Sequence, residues 1–96
     1  DMIKVGSFRV SPLEVEEALA TLPGIAEMAV ASTPDELLGQ AIKAVIVLRD
    51  GAELDERQVK AHCRAQLASY KVPKIVEFAR ELPRTPSGKV QRFKLS

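Results

Sequence analysis

The stretch SPLEVEEALATLPG, residues 11–24, is the feature that most limits what this chain can become. Ser11 suits an N-cap, Pro12 suits the first helical position, and Glu14, three residues after Ser11, completes a capping box. Val15, Ala18, Leu19 and Leu22 recur at i, i+3, i+4 and i+7, so the helix has one face to bury. Pro23-Gly24 stops it. A helix with a single apolar face needs a second layer to cover.

The following segments supply that layer. IAEMAVAS (25–32) and QAIKAVIVL (40–48) read as strands separated by the loop TPDELLG, and Ile42, Ala44, Ile46 and Leu48 share one face of the second. After the connecting loop RDGAELD, Asp55 can cap a helix over residues 56–67 whose buried stripe is Val59, Cys63 and Leu67. KIVEFA is a third strand, ELPRTPSGKVQR a loop with two prolines, and FKLS the start of a further helical turn. At the other end, DMIKVGSFRV reads as a hairpin with apolar-alternating arms around Gly6-Ser7. The predicted fold is α+β: a small three-stranded sheet covered by two helices, with an N-terminal β-hairpin at one end and a C-terminal basic loop at the other.

Ninety-six residues, 46% hydrophobic and 28% charged, suit one soluble globular domain. No apolar run approaches the ~20 residues that span a bilayer, and no signal-peptide pattern opens the chain. The lone Cys63 excludes an internal disulfide and a multi-cysteine metal site, which favours a reduced, cytoplasmic setting. Charge is unevenly spread. Residues 1–69 carry seven Lys/Arg against eleven Asp/Glu, whereas residues 70–96 carry seven against two. A basic final third invites an anionic ligand such as a phosphate. Nucleic acid is the rival, although a pI near 8.1 is weakly basic for that role.

Within that basic third, Lys89 follows a Pro-Ser-Gly turn in RTPSGKVQR. It could be a solvated charge, a phosphate clamp or a catalytic cation. A P-loop would need Gly six residues before the lysine and Ser/Thr directly after it; Pro83 and Val90 stand there instead, so that reading fails. What remains is a lysine on a turn whose Gly88 frees the backbone and whose Pro86 restrains it.

Three segments read together carry a resemblance. DMIKVGSFRVSPLEVEE, LASYKVPK and ELPRTPSGKVQR, in that order and at that spacing, resemble the C-terminal domain of the adenylate-forming superfamily: acyl- and aryl-CoA synthetases, adenylation domains of peptide synthetases and firefly luciferase. The resemblance covers essentially all 96 residues. SYKVPK and PSGKVQRFKL look more like acyl- or aryl-CoA synthetases, benzoate-CoA ligase types among them. It implies a mobile C-terminal domain, residues 1–96, of an AMP-forming acid-CoA ligase. The larger N-terminal domain, with its ATP loops, acid pocket and Mg2+, would be absent from this chain, and the isolated domain would be inactive. In such enzymes a carboxylate and ATP give an acyl-adenylate and pyrophosphate; CoA thiol then displaces AMP.

The resemblance also implies roles. Lys89 matches the catalytic lysine of adenylation, swung in on a mobile loop, and an acetyltransferase–deacetylase pair acting on it would switch the enzyme. Gly6, Ser7 and Phe8 match the hairpin lining the pantetheine tunnel after domain rotation, and Arg9 a position that reaches a phosphate. Tyr70 matches an aromatic that stacks on the CoA adenine, Lys71 and Lys74 could meet its phosphates, and Arg64 is a looser candidate for the 3′-phosphate. Three departures stand out: Ser7 where the family usually has Gly, Val72 where some relatives have Arg, and a pivot residue that would lie just before Asp1. Rival readings are a peptide-synthetase subdomain with a carrier-protein acceptor and a non-enzymatic nucleotide- or nucleic-acid-binding module. His62, with no Ser or Asp partner evident, reads as a surface histidine, Cys63 as a buried inert thiol, and EVEE as a solvated helix face.

Overall fold

The computed structural model describes residues 2–96; Asp1, next to the inferred pivot, lies outside the described residues. Its elements run β1 (Ile3–Val5), β2 (Phe8–Val10), α1 (Pro12–Ala20), β3 (Ile25–Asp35), β4 (Gly39–Leu48), α2 (Glu56–Gln66) and β5 (Ile75–Phe78), with short 3-10 turns at Ser69–Lys71 and Arg92–Lys94. The expected α+β architecture is present. The hairpin β1–β2 is joined to the sheet through Val5 opposite Gly39, so three strands become five, in the order β2-β1-β4-β3 with β5 also on β4. Strand β5 runs parallel to β4, while the other pairings are antiparallel.

Alternation along β4 builds two cores. Ile42, Ala44 and Ile46 face α1 and α2, where Val15, Leu19, Val59 and Cys63 meet them, with Leu48 packed at the margin. Val45 and Val47 face the other way and, with Ala29 and Ala31 of β3, are covered by Leu82 and Leu95 of the C-terminal segment. The stripes expected on both helices are therefore buried, except that Leu22 and Leu67 are only partly covered. No helix is long and apolar enough to cross a membrane among the described residues.

Local chemistry decides the element ends. Asp55 forms a complete capping box: its carboxylate accepts from the Gln58 N–H, and the Gln58 side chain accepts from the Asp55 N–H. The box expected at Ser11 does not form. Glu14 points its carboxylate at the Lys71 ammonium instead, 2.9 Å from each oxygen, an ion pair in which both partners are charged. The segment read as the loop TPDELLG is mostly strand: β3 continues to Asp35, paired with Gly39, leaving a three-residue turn. Pro34 is tolerated because β3 is an edge strand, where a missing N–H costs no ladder bond.

His62 does have partners. Its Nε2 lies 2.8 Å from Thr21 Oγ1 and 3.0 Å from the Ala18 carbonyl oxygen, pinning the end of α1 to α2. This partnership spans 41 positions and leaves no local trace in the sequence.

Because Ile46 is fully buried at the centre of the helix-facing core, Ile46→Ala should destabilise the domain by about 2–5 kcal/mol. Leu37→Ala, at a turn tip that is 91% exposed, should change stability by about 0.5 kcal/mol or less. Urea unfolding of the two variants would refute this packing scheme if their midpoints fell together.

Candidate functional site

Two clusters form, at opposite ends of the sheet. The first gathers around the N-terminal hairpin. Val5 pairs with Phe8, so Gly6-Ser7 is a two-residue turn. Gly6 has φ +60°, and Ser7 is not among the positive-φ residues, the pattern of a type II′ turn with its glycine in the first central position. The family's usual glycine at the second position is thus not needed for this backbone, and Ser7 sits there exposed and unstrained. The Gly6 N–H donates to the Leu38 carbonyl, 3.1 Å away, on the β3–β4 turn.

Phe8 stacks on Tyr70, with ring centroids 4.1 Å apart and an interplanar angle of 20°. Hairpin and mid-chain residues, read separately in the sequence, are therefore one assembly. Tyr70 is half-buried and has the Lys71 Nζ 5.7 Å from its ring centroid. Lys71 and Lys74 both have internal counter-ions. Lys71 holds Glu14, whose hydrogen bond raises the lysine pKa above its ordinary value. Lys74 holds Asp35 at 2.5 Å. Arg9 faces Lys4 across the hairpin in register, and neither makes an ion pair among the described residues. Like charges directly opposed in a hairpin are unfavourable without an anion nearby. Arg64 is exposed in the last turn of α2 and makes no hydrogen bond or ion pair to this cluster.

Asp35, read only as part of a loop, ties the cluster together. One carboxylate oxygen accepts from the Leu37 and Leu38 N–H groups, and the other from Lys74. Chiefly through the Lys74 hydrogen bond, and then the Leu38 N–H, its pKa is lowered to about 2. Leu38 in turn holds Gly6, so Lys74, Asp35, the β3–β4 turn and the hairpin form one chain of contacts.

The second cluster surrounds Lys89. The segment read as a loop folds into a tight hairpin. The Gly88 N–H donates to Thr85 O and the Thr85 N–H to Lys89 O, both at 2.8 Å, while the Gln91 N–H donates to Pro83 O at 2.9 Å. Arg84 bridges to Val90. Pro86 opens the four-residue turn Thr85–Gly88, and Gly88 closes it with φ +93°, a conformation that side chains disfavour. The Thr85 hydroxyl also accepts the Lys89 N–H.

Both roots are anchored. Arg84 pairs with Glu27 of β3. Arg92 grips both oxygens of Glu16 on α1, at 2.8 and 3.0 Å, and Glu16 also accepts the Val30 N–H. The Lys89 side chain is exposed and makes no hydrogen bond or ion pair among the described residues. Glu27 lies opposite Val47 and the N-terminal hairpin opposite Gly39. Eight residue steps of β4 separate those points, about 26 Å at ~3.3 Å per step.

The sheet thus carries a glycine-turn hairpin joined at Gly39 and a lysine-bearing hairpin tied to Glu27. The chain belongs to the AMP-binding enzyme C-terminal domain family, whose model matches residues 14–89. It is 45% identical over 95 residues to the sulfoacetate–CoA ligase of Cupriavidus necator, covering 99% of this chain and 19% of that protein. Identity to the long-chain-fatty-acid–CoA ligase of Bacillus subtilis is also 45%, covering 99% of this chain and 17% of that protein. Among solved structures, ATP-bound MatB from Rhodopseudomonas palustris matches with a TM-score of 0.95 at 40% identity, over 99% of this chain and 19% of that one. The chain thus spans about a fifth of the length of these relatives. Equal likeness to a sulfoacetate and a long-chain-fatty-acid ligase gives the benzoate-type leaning of SYKVPK and PSGKVQRFKL no support.

The depressed Asp35 sets a pH test. An unfolded Asp titrates near ~3.9, so this group contributes its full stabilisation above about pH 4 and loses it as pH falls towards about 2. Urea unfolding of wild type and Asp35→Asn should give a stability gap that is constant at neutral pH and narrows through that window. A gap that stays constant down to pH 2 would contradict the assignment.

Proposed function

We propose that this chain is the C-terminal domain, residues 1–96, of an AMP-forming acid-CoA ligase, and that it supplies Lys89 to adenylation and the Gly6–Arg9 hairpin to thioester formation. The observation that carries this reading is an unpartnered, exposed lysine on a hairpin whose Arg84 is tied to Glu27, opposite Val47, while the glycine hairpin joins the sheet at Gly39, eight residues away along β4, in a chain of the AMP-binding C-terminal family. Many relatives bearing such a domain are CoA ligases by name.

In the first half-reaction a substrate carboxylate oxygen forms a bond to the α-phosphorus of ATP, and the bond to the bridging oxygen breaks to release pyrophosphate. Negative charge grows on the phosphate oxygens while two anions meet. The Lys89 ammonium, brought in by movement of the whole domain, neutralises that charge where water is excluded. ATP, its Mg2+ and the acid would be held by an N-terminal domain outside this chain. Rotation then withdraws Lys89 and presents the other end of the sheet. There Gly6, Ser7 and Phe8 line the pantetheine path, with Tyr70, Lys71, Lys74, Arg9 and Arg64 near the CoA nucleotide. The thiol gives up its proton to solvent, its sulfur bonds to the acyl carbon, and the acyl carbon–oxygen bond breaks so that AMP leaves with that oxygen on its phosphate.

Tyr70 is stacked by Phe8, and Lys71 and Lys74 hold Glu14 and Asp35. CoA would therefore exchange with internal partners at those residues and meet Arg9 directly. Arg9 is the cation we assign most strongly to a CoA phosphate. The exposure of Lys89 also leaves it open to an acetyltransferase, whose product is uncharged, and to a deacetylase that restores it.

In the full-length protein, Lys89→Ala should slow pyrophosphate release by about 10²–10³-fold while leaving thioester formation from supplied acyl-adenylate nearly intact. Gly6→Val, which strains a φ of +60°, should do the reverse. Undiminished pyrophosphate release by the lysine variant would defeat the reading, as would turnover that needs a carrier protein in place of CoA. Steeply salt-dependent DNA binding by the isolated domain would favour a nucleic-acid module instead.

A further inference from the structure

We propose that Arg84 is a positioning residue for Lys89, fixing the direction in which the lysine leaves its turn relative to the sheet. This rests on the adenylation role given to Lys89 above. The guanidinium of Arg84 works at two points: Nη1 donates to the Gly88 carbonyl at 2.8 Å, and Nη2 pairs with the Glu27 carboxylate on β3. Gly88 directly precedes Lys89, so its peptide plane sets the lysine's starting direction. With Cα unsubstituted and nothing within 4 Å of a would-be Cβ, Gly88 has no side-chain packing of its own to hold that plane. The Thr85 hydroxyl holds that plane by its Lys89 N–H, Arg84 holds it by its carbonyl oxygen, and Glu27 ties Arg84 to a strand whose position is set by the ladder to β4.

A planar guanidinium can bind a carbonyl and a carboxylate at once with fixed geometry; an ammonium is a point charge without that fork. Both partners of the pair are about two-fifths exposed, 42% and 41%, so the contact contributes little to stability. Its effect on position is a separate matter. Catalytic groups misplaced by about 1 Å lose on the order of 10²-fold in rate. Arg84 is thus suited to matter for the rate of one step and hardly at all for folding.

The test uses the full-length enzyme and its two half-reactions. Arg84→Ala should slow pyrophosphate release by about 10- to 100-fold at unchanged KM for acid and ATP. Thioester formation from supplied acyl-adenylate should stay within about twofold of the parent, and thermal stability should be unchanged. Arg84→Lys should recover part of the adenylation rate. Lys89→Ala is measured alongside. If it blocks adenylation while Arg84→Ala stays within about twofold of the parent, Arg84 is only a surface ion pair and the proposal is overturned. Equal losses in both half-reactions would overturn it too, by making the residue structural. Normal adenylation by Lys89→Ala would remove the role that Arg84 is said to serve.

Discussion

The structure depends on β4 being paired on both edges and covered on both faces. Strand β3 lies along one edge and β5 with β1 along the other. Its alternate residues feed two separate cores, one under the helices and one under the C-terminal segment. A buried aliphatic side chain of this kind contributes about 1.5–3 kcal/mol, so β4 alone accounts for a large share of the burial that holds the domain together. The Gly6 turn and the Lys89 hairpin are each tied to direct partners of this strand, one through β1 and the other through Glu27 of β3.

On the proposed reading, that mounting lets two functions fit in 96 residues. The Gly6 turn is hung from the Leu38 carbonyl at one end, and the Lys89 hairpin is staked through Glu27 near the other and through Glu16 on α1. Neither arm is a free loop. On the proposed reading, a single active site meets them in turn through rotation of the whole domain, and an unbending body is the right tool for that. A lysine on a slack tether would arrive in many orientations, and preorganisation is what makes a charge effective at a transition state.

Much of the fold could be read from period alone. The stripe of α1, the shared face of Ile42, Ala44 and Ile46, and the Asp55 cap all rest on residues within one or two turns of each other, where local chemistry speaks clearly. Ser11 shows the limit of that method. Its sequence is a good capping box, yet Glu14 is taken by Lys71, 57 positions away. Glu16–Arg92, Glu27–Arg84 and Asp35–Lys74 are likewise long-range pairs without a periodic signature. The Lys89 hairpin was within reach: Pro86 and Gly88 sit where a four-residue turn requires them, although short arms such as Arg84 and Val90 show too little alternation to mark strands. The order of the three motifs carried the family, and the Phe8–Tyr70 stack that joins two of them could come only from the fold.

The central claim is that Lys89 rides on a rigid hairpin and moves only with the domain. Backbone NMR order parameters for Thr85–Lys89 in this 96-residue chain test it most directly. The account predicts values near those of β3 and β4, about 0.85, on the ps–ns timescale. Values below about 0.6 across the turn, beside an ordered sheet, would contradict it.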